Sequence, residues 1–114
     1  MAMGLPIITT NWSGTTEFIN SENSYPLPLD PDTPLIHPQF GPFQSHLWAN
    51  PSLSSLRHLM RHVTEHPMEA KEKGQRAFHD MRTIWAPETV ANVLIDRLQE
   101  LIQSPPTHPL TLEE

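Results

Sequence analysis

Apolar side chains recur at helical spacing through the second half of the chain and follow no regular period in the middle of the first. Leu53, Leu56, Leu59, Met60 and Val63 repeat three and four apart. They predict a helix capped by Ser52 and stopped before Pro67. Pro67 suits the opening position of a second helix, running to about Arg82 with Ala70, Ala77, Phe78 and Met81 inward. Gly74 interrupts it, at a cost of about 1 kcal/mol relative to Ala unless a close contact needs its bareness. Pro87 opens a third helix, where Val90, Val93, Leu94, Leu98, Leu101 and Ile102 form the strongest amphipathic stripe in the chain. That stripe reads as core or interdomain packing, with too few heptads for a coiled coil. Ser104-Pro105-Pro106 ends the helix, and residues 104–114 read as a flexible tail.

The first thirty residues carry a different pattern. Leu5 to Thr10 is a short β-branched run, apolar on both faces, as in a strand of a parallel sheet. Asn11-Trp12-Ser13-Gly14 follows as a polar turn, with Gly14 available for a positive φ. Thr15 to Ile19 predicts a single helical turn, capped by Thr and with Glu17 near its positive end. Ser24 to Leu29 predicts a second strand, and the connection is long enough for a parallel crossover. Residues 30–50 read as a long Pro-rich loop with Phe40, Phe43 and Trp48 as apolar anchors. Seven of the chain's 13 prolines lie between Pro26 and Pro51, so residues 30–45 are expected to be irregular. The fold class is therefore α/β, a β–α–β unit followed by a Pro-rich loop and three helices over residues 1–103. A two-stranded parallel sheet is marginal alone. Marginal stability, or self-association through the open sheet edge, is expected.

Charge narrows the function classes. The formal net charge is −6, and residues 1–56 hold Glu17, Glu22, Asp30 and Asp32 but no Lys or Arg. No basic stripe exists to displace counterions from a nucleic acid. No apolar run approaches the length needed to span a bilayer. The N-terminus has no basic segment leading into an apolar core, so no secretory signal is expected and the chain is placed in the cytoplasm. Without a signal, the sequon Asn11-Trp12-Ser13 is incidental. There is no cysteine, hence no thiolate chemistry. His58, His62 and His66 stand four apart, a spacing that can seat a metal. The helical phase turns them outward, however, and a solvated face is the reading adopted for them and for Arg57 and Arg61. No metal is expected.

The run Ala2-Met3-Gly4-Leu5-Pro6-Ile7-Ile8-Thr9-Thr10-Asn11-Trp12-Ser13-Gly14-Thr15-Thr16-Glu17-Phe18-Ile19 resembles the C-terminal domain of family 4 glycosyltransferases, enzymes of the GT-B fold. The likeness continues through Glu22-Asn23-Ser24-Tyr25-Pro26-Leu27, through His46 to Ser52, and through Ala70-Lys71-Glu72-Lys73-Gly74 and Pro87-Glu88. It implies a Rossmann-like domain that holds a nucleotide-sugar. It also implies metal-independent hexosyl transfer with retention of configuration, to an acceptor the sequence does not name. The family's two donor-site glutamates have no counterpart here, because the second would fall two positions before Met1. Ala86 stands where the family often has a capping Ser or Thr. The chain is accordingly read as a fragment, inactive in isolation, with the nucleotide-sugar as a partner once upstream polypeptide completes it. The alternative is a non-catalytic interaction module derived from such an enzyme.

Within this frame the donor-binding candidates are Asn11, Trp12, Ser13, Gly14, Thr15 and Glu17. They lie at the carboxyl end of the first strand, where open α/β sheets bind ligands. An ordinary βα turn is the competing reading of the same residues. Trp12 can stack on a base or sugar, or cover a domain edge. Glu17 can meet a sugar hydroxyl, although helix-start stabilisation is the favoured role.

Overall fold

The computed structural model describes residues 1–38 and 44–103. The anchors Phe40 and Phe43 and the tail 104–114 lie outside the described residues. The chain falls into two compact units, Met1–His79 and Asp80–Glu114.

The first unit is mixed α/β. Strand β1 (Ile8–Thr10) pairs in parallel with β2 (Tyr25–Leu27), with Ile8 opposite Tyr25, Thr9 opposite Pro26 and Thr10 opposite Leu27. The pairing is closed by Tyr25 N donating to Ile7 O at 2.9 Å and Asn11 N donating to Leu27 O at 2.8 Å. Pro26 is tolerated because β2 is an edge strand, where one missing donor costs no ladder bond. Both strands are shorter than the sequence reading; Leu5 is exposed, and Pro28 follows directly on β2. Among the described residues β1 carries no strand on its other edge.

The Pro-rich loop is more ordered than composition predicts. Strands β3 (Leu35–Ile36) and β4 (Trp48–Ala49) form an antiparallel pair, and an isolated bridge joins Leu29 to Pro51. The prolines permit this because they act as acceptors only. Pro34 O accepts from Asn50 N at 2.8 Å, and Pro28 O accepts from Ser52 N at 3.0 Å. Asp30 fixes the entry to the hairpin, its Oδ1 accepting from Thr33 N at 2.9 Å and Asp32 N at 3.1 Å. The expectation of an irregular 30–45 segment is corrected at Leu35 and Ile36.

Helix α1 (Leu53–Glu65) starts where Ser52 predicts, with Ser52 Oγ accepting from Ser55 N at 3.3 Å. It packs on β1 and β2. Leu56, Leu59 and Val63 turn inward, but Leu53 and Met60 are exposed while Ser55 and His62 are half-buried. At 100° per residue this places the buried face roughly 60° away from the apolar stripe, toward His62. Helix α2 (Pro67–Thr83) opens on Pro67 as expected and buries Ala70, Gly74 and Ala77, whereas Phe78 is exposed. Its small residues admit the N-terminal segment. A Cβ on Gly74 would run into Gly4 O and would stand 3.0 Å from Gly4 C and 3.1 Å from Leu5 C. Gly4 itself has φ 69°. Lys73 and Arg76, on the same helix, reach the turn before β2, where Lys73 Nζ donates to Ser21 O and Arg76 pairs with Glu22.

That turn holds the unit's most buried polar side chains. Asn23 and Ser24 are buried beside Ile19, Tyr25 and Leu27. Asn23 Oδ1 accepts from Asn20 N at 2.9 Å, Asn23 Nδ2 donates to Phe18 O at 3.0 Å, and Ser24 Oγ donates to Asn20 O at 2.7 Å.

The second unit is built on α3 (Pro87–Gln103), which opens on Pro87 as expected. Thr89 Oγ1 donates to Thr83 O at 3.0 Å, across the helix start that Ala86 does not cap. The apolar stripe read as packing is exposed instead, from 40% at Leu101 to 79% at Ile102. Amphipathic spacing specifies a face and not what covers it.

Candidate functional site

A cleft of about 700 Å³ opens in the first unit at the carboxyl end of β1. Its volume lies within the range usual for small-molecule sites. It is lined by Thr9 and Thr10 of β1, by Trp12, Ser13 and Thr15 of the following turn, and by His46 to Ala49, leading into β4. Of the residues singled out from the sequence, Trp12, Ser13 and Thr15 line this cleft; Asn11, Gly14 and Glu17 are not among the lining residues. Thr9, Thr10, His46 and Trp48 were missed as site residues. The contribution of His46 and Trp48 depends on the β3–β4 pairing, which no periodicity announces, whereas Thr9 and Thr10 were read only as strand residues.

The turn is built differently from the sequence reading. It is a short 3-10 helix over Ser13–Glu17, flanked by Trp12 in extended conformation with no side-chain cap. The left-handed position falls on Ser13 (φ 55°), not on Gly14. Thr15 does not cap; its Oγ1 lies 2.8 Å from both Thr10 O and Trp12 O, so its single proton ties the turn back to β1. Thr16 Oγ1 donates to Ser13 O at 2.7 Å. Glu17 closes the turn instead of opening it and is exposed, so it is corrected from helix-start stabiliser to a residue at the turn's negative end.

The lining is more apolar than polar, and its polar groups include no acid and no Lys or Arg among the described residues. It offers four hydroxyls, two indoles and one imidazole. Trp12 is 41% and Trp48 51% exposed.

The histidine row on α1 is a separate feature. Its rings stack instead of converging, with His62 and His66 centroids 4.1 Å apart at 20° and His58 and His62 6.4 Å apart. Among the described residues no group of three or more His, Asp or Glu is arranged to hold a metal. His62 is not part of a solvated face. Its Nε2 lies 2.9 Å from Glu69 Oε2 and its ring meets Tyr25 edge-on at 6.0 Å, which follows from the rotated packing of α1. Lys73 Nζ stands 3.7 Å from Glu69 Oε1 and 4.9 Å from the Tyr25 ring centre. Tyr25 Oη is buried near the Glu69 carboxylate but outside hydrogen-bond geometry.

The hydrogen bond with His62, helped by the charges of His62 and Lys73, holds Glu69 below the usual carboxylate range. Burial first, then the Glu69 charge, pushes the Tyr25 phenol up. For a carboxylate lowered in the folded state, the stabilisation is complete above its unfolded pKa of about 4.3 and is lost as pH falls through the folded value. For a phenol raised in the folded state, stabilisation is complete below about 10 and is lost as pH rises through the folded value. Glu69→Gln is therefore expected to flatten the acid limb of the stability–pH curve below the unfolded carboxylate pKa of about 4.3. Urea titrations at fixed pH values check this, and an unchanged acid limb contradicts it.

No helix among the described residues is long and apolar enough to cross a membrane. Comparison with protein-family models, with curated proteins and with solved structures finds no match to this chain.

Proposed function

We propose that this chain is the donor-binding part of a nucleotide-sugar-dependent glycosyltransferase of the GT-B type, serving hexosyl transfer with retention, and that it does not catalyse transfer alone. One observation carries the reading. The cleft opens at the carboxyl end of a parallel strand, and Trp12, Ser13 and Thr15, which belong to the segment resembling family 4 glycosyltransferases, line it. Ligands of open α/β sheets sit in that position. The expectation that the chain binds without turning over rests on the lining, whose described residues offer hydroxyls and rings but no carboxylate and no cation to stabilise a departing diphosphate.

Saturation-transfer NMR with UDP-glucose and GDP-mannose tests the binding, and a coupled assay for released nucleotide tests the turnover. The expected result is transfer of saturation to the sugar protons of at least one donor, with no release of nucleotide diphosphate. Absence of binding by both donors overturns the assignment, and measurable turnover overturns the inactivity. The exposed apolar stripe of α3, with Val93 66% and Leu94 59% accessible, favours a second reading as a non-catalytic interaction module. That reading expects neither donor to bind.

A further inference from the structure

We propose that His46, as an imidazolium, is the residue that meets the diphosphate of the donor in this cleft, so that donor binding strengthens as pH falls. The inference rests on the transferase reading and adds to it the group that answers the donor's charge. An anion that leaves water is held only where charge or hydrogen-bond donors replace its hydration. Residues 1–56 contain no Lys or Arg, and every described lining residue falls within that span. The four lining hydroxyls can donate but bring no charge, and that of Thr15 is already tied to the backbone at 2.8 Å. Among the described lining residues, His46 is the one side chain that can become a cation.

Histidine is the side chain whose charge changes between about pH 5 and 8. As a neutral ring it offers one N–H and one acceptor; protonated, it offers two N–H donors and a positive charge. Hydrogen bonds from an imidazolium to phosphate oxygens are roughly twice as strong as neutral ones. A ligand that favours the protonated ring draws a proton onto it, so affinity rises as pH falls and levels off once the ring is charged throughout. The surrounding elements supply no rival charge. Glu17 on the turn, and Asp30, Asp32 and His37 on the β3–β4 segment, do not line the cleft. His37 Nδ1 lies 3.1 Å from Gln44 O, and Asp30 Oδ1 accepts from Asp32 N and Thr33 N. Neither α1, with Arg57, His58, Arg61, His62, Glu65 and His66, nor β2, with Tyr25, contributes a lining residue.

The test measures the affinity of the full 114-residue chain for UDP-glucose and GDP-mannose by titration calorimetry, at steps between about pH 5.5 and 8. Both donors keep their diphosphate ionised across this range, so a pH dependence belongs to the protein. The range also lies above the acid limb to which Glu69 contributes. At least one donor is expected to bind about tenfold more tightly at the acid end than at the alkaline end. His46→Gln, which keeps hydrogen bonding without charge, is expected to hold the affinity at the parent's alkaline value throughout. His46→Lys, charged over the whole range, is expected to bind at the alkaline end as the parent does at the acid end. His46 is exposed, so both variants are expected to fold, and an unchanged amide spectrum elsewhere verifies that they do. Donor affinity that does not change with pH, or a pH dependence that survives His46→Gln, overturns the role of His46 and leaves the transferase reading standing. Binding of neither donor at any pH overturns both.

Discussion

Gly74→Ala is expected to destabilise the first unit by about 1–3 kcal/mol, against the usual direction of a Gly-to-Ala change inside a helix. In an ordinary exposed helix position the added methyl contributes up to about 1 kcal/mol in favour of folding, through backbone entropy in the unfolded chain. At Gly74 that gain is outweighed. The methyl would enter Gly4 O and press within 3.0 Å of Gly4 C, and these are backbone atoms that cannot rotate away as a side-chain tip can. Either the segment ahead of β1 shifts from α2 or the helix lifts, and both lose packing beside Ala70 and Ala77. Gly14→Ala is the internal control. Nothing lies within 4 Å of its would-be Cβ and its φ is ordinary, so that change is expected to be neutral or to stabilise by a few tenths of a kcal/mol. Urea unfolding of the two variants beside the parent gives opposite signs if the Gly4–Gly74 approach exists. Equal effects at the two positions would falsify it.

The sequence carries the helices because a packing helix advertises itself twice, in its period and at its ends. Ser52, Pro67 and Pro87 open α1, α2 and α3 where cap and proline chemistry place them. Strand pairing β1–β2 was legible in kind, from a β-branched run followed by a crossover, although its length was not. What stayed hidden was contact made by residues without a period. The β3–β4 pair has two residues a side, too few for alternation to register, and it is flanked by bonds to the carbonyls of Pro34 and Pro28, residues that propensity scales count as breakers. His46 to Ala49 reach the cleft through it, which is why Trp12, Ser13 and Thr15 were foreseen and His46 and Trp48 were not. The phase of α1 was misjudged for a related reason. The apolar stripe points one way, but His62 is drawn in by Tyr25 and Glu69, neither of which lies on the same helix. Ser13 and Gly14 show the limit at single residues. Composition assigns the positive φ to the glycine, yet the conformation of the turn puts it on Ser13.

The polar pair before β2 leads to the last expected result, Asn23→Ala costing about 2–3 kcal/mol although no apolar surface of note is removed. Asn23 is 2% exposed, and its amide works in both directions at once, accepting from Asn20 N and donating to Phe18 O. Truncation removes both bonds in a place where water does not replace them, and each loss carries a desolvation penalty of about 1–3 kcal/mol. The effect should reach β2 directly, because Ser24 and Tyr25 continue from the same turn and Tyr25 N closes the pairing with Ile7 O. Asn23→Asp separates hydrogen bonding from volume, since the side chain keeps its shape and its acceptor. At neutral pH a carboxylate there turns an oxygen toward Phe18 O in a buried site, and it is expected to be at least as destabilising as alanine. Protonation restores an O–H donor to that carbonyl, so the folded-state pKa of the new Asp lies above its unfolded value of about 3.9. By that sign the deficit relative to the parent is full at high pH and shrinks as pH falls through the folded pKa. Urea midpoints of parent, Asn23→Ala and Asn23→Asp, measured from pH 7 down to pH 4, are expected to show Asp recovering toward the parent while Ala stays at a constant distance below it. A pH-independent deficit for Asn23→Asp would mean that the amide fills space at this turn and does not hold it together.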